Sequence, residues 1–130
     1  MLDGVDLLRR APDGADDPLA MASFPLVPYA NRIAQGRFAF DGADHQLPRN
    51  FGDHPHSIHG FGWQASWTAK ATGADHVLLV HDHPGDTGWP WPYHAEQQVV
   101  LRPAQLSVSL SLSNVGDRPM PAGLGFHPYF

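Results

Sequence analysis

The sequence contains no cysteine, a single glutamate and no long run of apolar residues. Without cysteine the chain has neither a disulfide framework nor a thiolate metal site, which favours a cytoplasmic location. Because its apolar runs are only a few residues long, no segment is predicted to span a membrane. The formal net charge of -5 argues against nucleic acid and against an anionic membrane surface as partners.

Turn-forming residues and alternating apolar residues dominate what is present. Thirteen glycines and thirteen prolines in 130 residues imply short elements joined by many turns. In residues 105–113, leucine or valine alternates with serine, so one face of that strand is apolar and the other is a ladder of hydroxyls. No window has apolar residues at helical spacing over three turns. The sequence therefore predicts an all-β, mostly antiparallel protein in which residues 1–130 form a single domain.

The chain divides into several predicted strands and loops. Asp41 and Gly42 give the tight turn of one hairpin. Prolines at 25 and 28 make residues 24–29 an extended segment outside any central strand. The predicted strands are residues 4–10, 36–40, 43–47, 66–72, 76–81, 93–102 and 105–113. Residues 47–63 lack periodicity and are predicted to be a long loop of the kind that carries function.

Three short stretches combine imidazole, arginine or amide groups with aromatic rings. They are residues 28–33 (PYANRI), 57–63 (SIHGFGW) and 125–130 (GFHPYF). A sugar packs its C–H face on an aromatic ring and its hydroxyls need hydrogen bonds, while glycine allows close approach of a ligand. The hypothesis from these residues is that the three stretches converge on one sugar pocket.

Asn31, Arg32 and His59 are the candidate sugar-binding residues. The planar guanidinium of Arg32 can bridge adjacent hydroxyls, and the amide of Asn31 both donates and accepts hydrogen bonds. The alternative for this pair is an arginine on a strand edge and an asparagine in a turn. His59 is either a structural or solvated histidine or, given the glycines and rings beside it, part of the pocket.

His127 is the candidate for proton transfer. Pro128 biases the residue before it towards extended backbone, which presets the position of the imidazole. Histidine exchanges a proton near neutral pH, and Phe126, Tyr129 and Phe130 are expected to screen the ring from water. The alternative is a histidine that merely packs in an aromatic cluster at the end of a strand.

Two further features leave alternatives open. His54, His56 and His59, with a second histidine pair at positions 81 and 83, are spaced so that they could bind a metal ion in a small β-barrel enzyme, although solvent-exposed loop histidines are the alternative. The cupin-type sites that this spacing suggests usually add a glutamate, and Glu96 is the only one here. Residues 89–93 (WPWPY) form a rigid aromatic loop that either stacks on a sugar or caps the protein core.

Taken in order, residues 31–33 (NRI), 59–61 with Trp63, and 125–130 resemble the motifs of the aldose 1-epimerase (galactose mutarotase) family. The resemblance is strongest over residues 24–130. It implies an antiparallel β-sandwich of the galactose mutarotase type, a supersandwich of which this chain is expected to be an incomplete part. It also implies interconversion of the α and β anomers of free aldohexoses, with no metal and no cofactor.

By the same resemblance, Asn31, Arg32 and His59 bind the sugar hydroxyls and His127 is the general acid that protonates the ring oxygen. The family's general base is a glutamate in a later motif, and Glu96 does not lie in such a motif. The chain is therefore expected to resemble an N-terminal portion without the base, with weak or no mutarotation and with exposed strand edges that favour self-association. The alternative is a non-catalytic carbohydrate-binding module on the same fold.

Overall fold

The computed structural model describes residues 4–130. Within that range lie two single-turn 3₁₀ helices, Pro18–Ala20 and Ala34–Gly36, and ten strands. The strands are β1 (Ser23–Leu26), β2 (Arg32–Ile33), β3 (Arg37–Phe40), β4 (Ala43–Gln46), β5 (Ser57–Ile58), β6 (Thr68–Thr72), β7 (His76–His83), β8 (Tyr93–Arg102), β9 (Gln105–Asn114) and β10 (Gly125–Pro128). All pairings between these strands are antiparallel, which confirms the predicted fold class. None of the helices from residue 4 onward is long and apolar enough to cross a membrane.

The largest sheet has the strand order β6-β7-β8-β9 and confirms the most regular part of the predicted pattern. In β9, Leu106, Leu110 and Leu112 are half-buried, whereas the serines that alternate with them are exposed. The leucines lie on the face shared with Tyr93 and Ala95 of β8, and both of those residues are buried. Over the described residues β9 pairs only with β8, so its other edge is unpaired. Self-association through that edge stays a prediction.

The main core is aromatic and lies between this sheet and the β3–β4 hairpin. Trp89, Trp91 and Tyr93 are each at most 2 % exposed. Phe38 of β3 stacks on Trp89, with ring centroids 5.9 Å apart, and Phe40 meets Trp91 edge to face at 5.7 Å. Large buried rings supply much of the hydrophobic stabilisation of a small core. Of the two alternatives for the aromatic loop, the structure therefore favours the one in which it caps the core.

One stretch of chain, residues 23–33, contributes a strand to each of two short antiparallel pairs. Its first part, β1, pairs with β10, and its last part, β2, pairs with β5. The register places Phe24 opposite His127 and Arg32 opposite Ile58. Residues that are far apart in sequence are thus brought to neighbouring positions by a single segment.

Two predictions about local structure need correction. Residues 4–10 do not form a strand: they contain turns, bends and one isolated bridge at Val5. Gly4 has φ +83°, and Arg10 forms an ion pair with Asp6 four residues earlier instead of alternating across a sheet. The segment 47–63 is mostly loop, as predicted, but it includes the short strand β5. Both predicted hairpins are present, as β3–β4 and β6–β7.

Candidate functional site

Asn31 and His59 hold each other through a reciprocal pair of hydrogen bonds. The backbone N–H of Asn31 donates to Nδ1 of His59 at 3.0 Å, and the N–H of His59 donates to the carbonyl of Asn31 at 2.8 Å. Both residues have positive φ, 65° and 61°, a conformation in which Asn and His are enriched among residues other than glycine. Since Nδ1 of His59 accepts, the proton of its neutral ring lies on Nε2, which is left as a donor.

The glycines beside His59 make room for Val27. A β-carbon on Gly60 would lie 2.0 Å from the carbonyl oxygen of Val27, and one on Gly62 would lie 2.2 Å from a methyl carbon of the same residue. Trp63, which follows them, is buried and donates from Nε1 to the carbonyl of Gly60. The packing of Val27 therefore requires these glycines, and their part in admitting a sugar stays a prediction. The close approach is made by the segment that leads from β1 to β2.

His127 packs against two aromatic rings, which also contact each other, and faces His59. Its ring stacks on Phe24 at a centroid distance of 4.9 Å and a tilt of 20°, and it lies 4.9 Å from the ring of Tyr129. The ring of His59 meets it edge to face at 5.9 Å. The expectation about screening thus holds for Tyr129, but the second screening ring is Phe24. Phe130 is 95 % exposed, and Phe126 points to the other face of β10 because neighbouring residues of a strand alternate.

The two ring nitrogens of His127 differ in their surroundings. Nδ1 is buried and has no hydrogen-bond partner among residues 4–130. Any proton exchange at this ring would therefore use Nε2. Arg9 holds the neighbouring ring: its guanidinium carbon lies 3.8 Å from the centre of the Tyr129 ring, and its backbone N–H donates to the carbonyl of that tyrosine. Sequence reasoning missed Arg9, since nothing in its local sequence points to a partner so distant.

The electrostatic environment of His59 keeps its ring neutral. Burial lowers the pKa of His59 below its ordinary value, and the neighbouring His127 and Arg32 lower it further. In neutral solution the ring is therefore uncharged, with a donor at Nε2. This state suits hydrogen bonding to a hydroxyl oxygen of a neutral ligand.

Arg32 lies on β2, is exposed, and is held through one side of its guanidinium. Its Nε donates to Nε2 of His54 at 3.2 Å. Within the described residues its terminal nitrogens make no further hydrogen bond, which leaves that part of the fork available to a ligand. His54 is the second residue whose part in the site was missed, because it was weighed only as a metal ligand or a solvated histidine.

Asn50 fixes the loop that carries His59. Its Oδ1 accepts from the N–H of Ile58 at 2.8 Å, and its Nδ2 donates to the carbonyls of Ile58 and Gly60 at 2.7 Å each. The side-chain amide of Asn50 thus satisfies backbone groups of the residues on both sides of His59, as a neighbouring strand would. The sequence offered no pattern that would have singled it out.

The three loop histidines use their ring nitrogens within the protein. Nε2 of His54 accepts from Arg32, Nδ1 of His56 accepts from the N–H of Gln35 at 3.1 Å, and Nδ1 of His59 accepts from Asn31. A metal needs such lone pairs for itself. Among residues 4–130 no three or more histidine, aspartate or glutamate side chains are grouped in a way that could hold a metal ion.

Comparison with known proteins identifies the family of the chain. The family model described as aldose 1-epimerase matches residues 2–130. Two uncharacterized proteins of Escherichia coli strain K12 are similar to the chain. YphB is 37 % identical over 107 residues, covering 82 % of this chain and 36 % of YphB, and YihR is 35 % identical over 114 residues, covering 86 % of this chain and 37 % of YihR.

The fold also matches a solved structure. A protein of Escherichia coli K12, provisionally called an aldose 1-epimerase, superposes with a TM-score of 0.86 and 34 % identity, over 95 % of this chain and 41 % of that one. The match confirms the antiparallel fold of the galactose mutarotase type. The chain spans somewhat more than a third of the length of the curated relatives that it matches. With the family model and these relatives in agreement, the chain belongs to the aldose 1-epimerase family.

Proposed function

We propose that this chain carries the sugar-binding and acid part of an aldose 1-epimerase that interconverts the α and β anomers of free aldohexoses such as glucose and galactose. The observation that supports the proposal most is the placement of His59 and His127 with their rings 5.9 Å apart. Asn31 is hydrogen-bonded to the first of them, and Arg32 is close enough to lower its pKa. A sugar is the substrate class expected from the family.

In the proposed reaction, His59 and Arg32 bind and His127 transfers a proton. The Nε2–H of His59 and the free end of the Arg32 guanidinium donate to hydroxyl oxygens and orient the ring. His127 gives a proton from Nε2 to the ring oxygen as a base removes the proton of the C1 hydroxyl. The C1–O5 bond breaks, the aldehyde rotates about C1–C2, and the ring closes on the other face with the proton transfers reversed. A positioned proton transfer contributes ~10²- to 10⁴-fold to the rate.

The base is the part of this proposal that the described residues do not supply. Both groups that shift the pKa of His59 electrostatically are positively charged when ionised, and neither is a carboxylate. Glu96, the single glutamate, lies on β8 with its Oε1 3.3 Å from Nε2 of His94. We therefore expect the 130-residue chain by itself to bind an aldohexose but to accelerate mutarotation weakly or not at all.

The lack of a carboxylate base near His59 among the described residues favours a second candidate function, a carbohydrate-binding module without turnover. In that case the four site residues would serve recognition only. The two functions differ in whether anomer exchange is accelerated when a carboxylate base is available, so binding and exchange have to be measured separately.

The test is NMR of the chain with glucose and with galactose. Addition of sugar should shift the ring resonances of His59 and His127 and leave those of His76, an exposed histidine on β7, unchanged. The exchange rate between the α and β anomeric protons is measured in the same samples, for the wild type and for His127→Ala and His76→Ala. Longer family members that contain the same motifs supply the positive control for exchange.

Two results would contradict the proposal. The first is that neither aldohexose shifts His59 or His127 at concentrations up to tens of millimolar. The second is exchange that is accelerated above the rate of the sugar alone and is equally fast in the wild type and in His127→Ala, since it would remove the histidine from the chemistry. Strong binding together with no exchange, in a longer protein that carries this chain, would support the binding module instead.

A further inference from the structure

The contact between His54 and Arg32 fixes which tautomer His54 adopts. An arginine guanidinium stays protonated in proteins, so Nε of Arg32 is always a donor. Nε2 of His54, 3.2 Å away, must then be the unprotonated nitrogen. The neutral ring accordingly carries its proton on Nδ1.

The other side of the ring is consistent with that tautomer. Nδ1 of His54 lies 3.2 Å from the carbonyl oxygen of His56 and 3.3 Å from the N–H of the same residue. Only the first can be a hydrogen bond once Nδ1 bears the proton. His54 thus bridges the backbone of its own loop to the guanidinium on β2.

We propose that His54 is a positioning residue for Arg32, and that its protonation releases Arg32 and weakens sugar binding at acidic pH. In the protonated ring Nε2 also carries a hydrogen, and it would point at the N–H of the guanidinium. Two donors and two positive charges would then face each other across 3.2 Å. The hydrogen bond cannot survive in that state, so the arginine moves away.

Among residues 4–130, no carboxylate hydrogen-bonds to His54 or Arg32 and offsets the repulsion. The titratable and charged groups around His54 are Arg32 on β2, His56 on the same loop and the adjacent Asp53, whose side chain is exposed. His59 interacts electrostatically with the same arginine. His56 makes no hydrogen bond to the guanidinium; its Nδ1 accepts from the N–H of Gln35 instead. Among the three loop histidines, His54 alone touches the arginine through a ring nitrogen.

The inference rests on the proposed function, because it gives Arg32 a role in binding sugar, but its first test needs no sugar. The Nε–H resonance of Arg32 is followed by ¹H–¹⁵N NMR through a pH titration, together with the ring resonances of His54. We expect the arginine signal to move with the same midpoint as His54 in the wild type. His54→Gln keeps an acceptor but cannot be protonated, so that step should vanish. His56→Gln and His76→Gln should leave it in place.

The second test adds glucose or galactose at two pH values. His54→Gln should bind sugar as the neutral wild type does and should lose the decline at acidic pH. His54→Leu, which has no acceptor, should bind about tenfold more weakly at neutral pH, the effect expected on losing one hydrogen bond. Folding of each variant is checked by the hydrogen-bonded amide resonances of β8 and β9.

The outcomes separate this inference from the proposed function. An Arg32 resonance that ignores the titration of His54, or a step that persists in His54→Gln, overturns the positioning role whatever the sugar data show. If the step behaves as expected and no aldohexose binds, the role of His54 stands and the sugar function fails.

Discussion

His59 and His94 are both half-buried imidazoles, but their neighbours shift their pKa values in opposite directions. His59 loses hydration and faces the positively charged forms of His127 and Arg32, all of which lower its pKa. His94 hydrogen-bonds to Asp82 across β7 and β8 and to Glu96 on its own strand, at 2.6 and 3.3 Å, and both carboxylates raise its pKa. Both nitrogens of His94 are engaged, whereas Nε2 of His59 has no hydrogen-bond partner among residues 4–130.

The comparison shows that a histidine side chain has different roles in the two regions. Around His94 the charge on the ring is neutralised by carboxylates and links two strands. Around His59 the ring is kept neutral, and its position depends on close backbone packing and on aromatic neighbours. The experiments below test that difference, from the largest expected effect to the smallest.

The packing beneath His59 should be the most sensitive to change. Gly60→Ala would place a β-carbon 2.0 Å from the carbonyl oxygen of Val27, at φ +70°, so the backbone must shift. We expect the free energy of unfolding, measured by urea denaturation, to fall by about 2–4 kcal/mol. Gly42→Ala is the matched control: its φ is +73° but no atom lies within 4 Å, so only conformational strain of about 1 kcal/mol is expected. Equal losses in the two variants would refute the packing explanation.

The aromatic support of His127 should show a smaller effect. Phe24→Leu removes the ring stacked on the imidazole and keeps an apolar side chain in its place. We expect a loss of about 1 kcal/mol in the free energy of unfolding and a clear change in the ring-proton shifts of His127. Phe40→Leu removes a ring that meets Trp91 instead, so it should leave the His127 shifts as they are. If both variants moved those shifts alike, the stacking would not be specific.

Stability should depend on pH with opposite signs at the two histidines. The folded pKa of His59 is lowered, so its contribution is present above the unfolded pKa of about 6.5 and is lost as the pH falls towards the folded value. The folded pKa of His94 is raised, so its contribution is present below about 6.5 and is lost as the pH rises through the folded value. Thermal denaturation measures stability as a function of pH. His59→Gln should weaken the pH dependence of stability below about 6.5, and His94→Gln should weaken it above about 6.5. If His59→Gln changed only the range above about 6.5 and His94→Gln only the range below it, the two pKa shifts would have the opposite directions.

The smallest effect concerns the two carboxylates of His94. Asp82→Asn should lower the pKa of His94 more than Glu96→Gln does, because the hydrogen bond to Asp82 is shorter and is the largest cause of the shift. NMR titration of the His94 ring protons measures both. A larger effect of Glu96→Gln would mean that the partner on the same strand dominates.

The regular strands could be predicted from the sequence because their causes are local. Alternation in β9 and the Asp41–Gly42 turn each depend on residues within a few positions, and the structure contains both elements. The grouping of His59 near His127 was predicted from the chemistry of the three short stretches and from the family resemblance, not from periodicity. The sugar-binding and catalytic roles of these residues stay predictions.

What could not be predicted depends on contacts between distant residues. The partner of Gly60 is Val27, the ring that covers His127 is Phe24, and the acceptor that holds Arg32 is His54. None of these pairs has a local pattern, since each requires the chain to have folded before the two residues meet. The strand predicted at residues 4–10 failed for a local reason instead, since Gly4 has positive φ and Arg10 pairs with Asp6 four residues earlier.

The segment of residues 23–33 pairs with β10 at one end and with β5 at the other. Substitutions within it are therefore expected to disturb both imidazoles at once, even where the altered side chain touches neither ring. A mutational scan scored by activity alone would assign many of these positions to the proposed binding site. Measuring ligand affinity and folding stability for the same variants would distinguish residues that contact the ligand from residues that only position the two histidines.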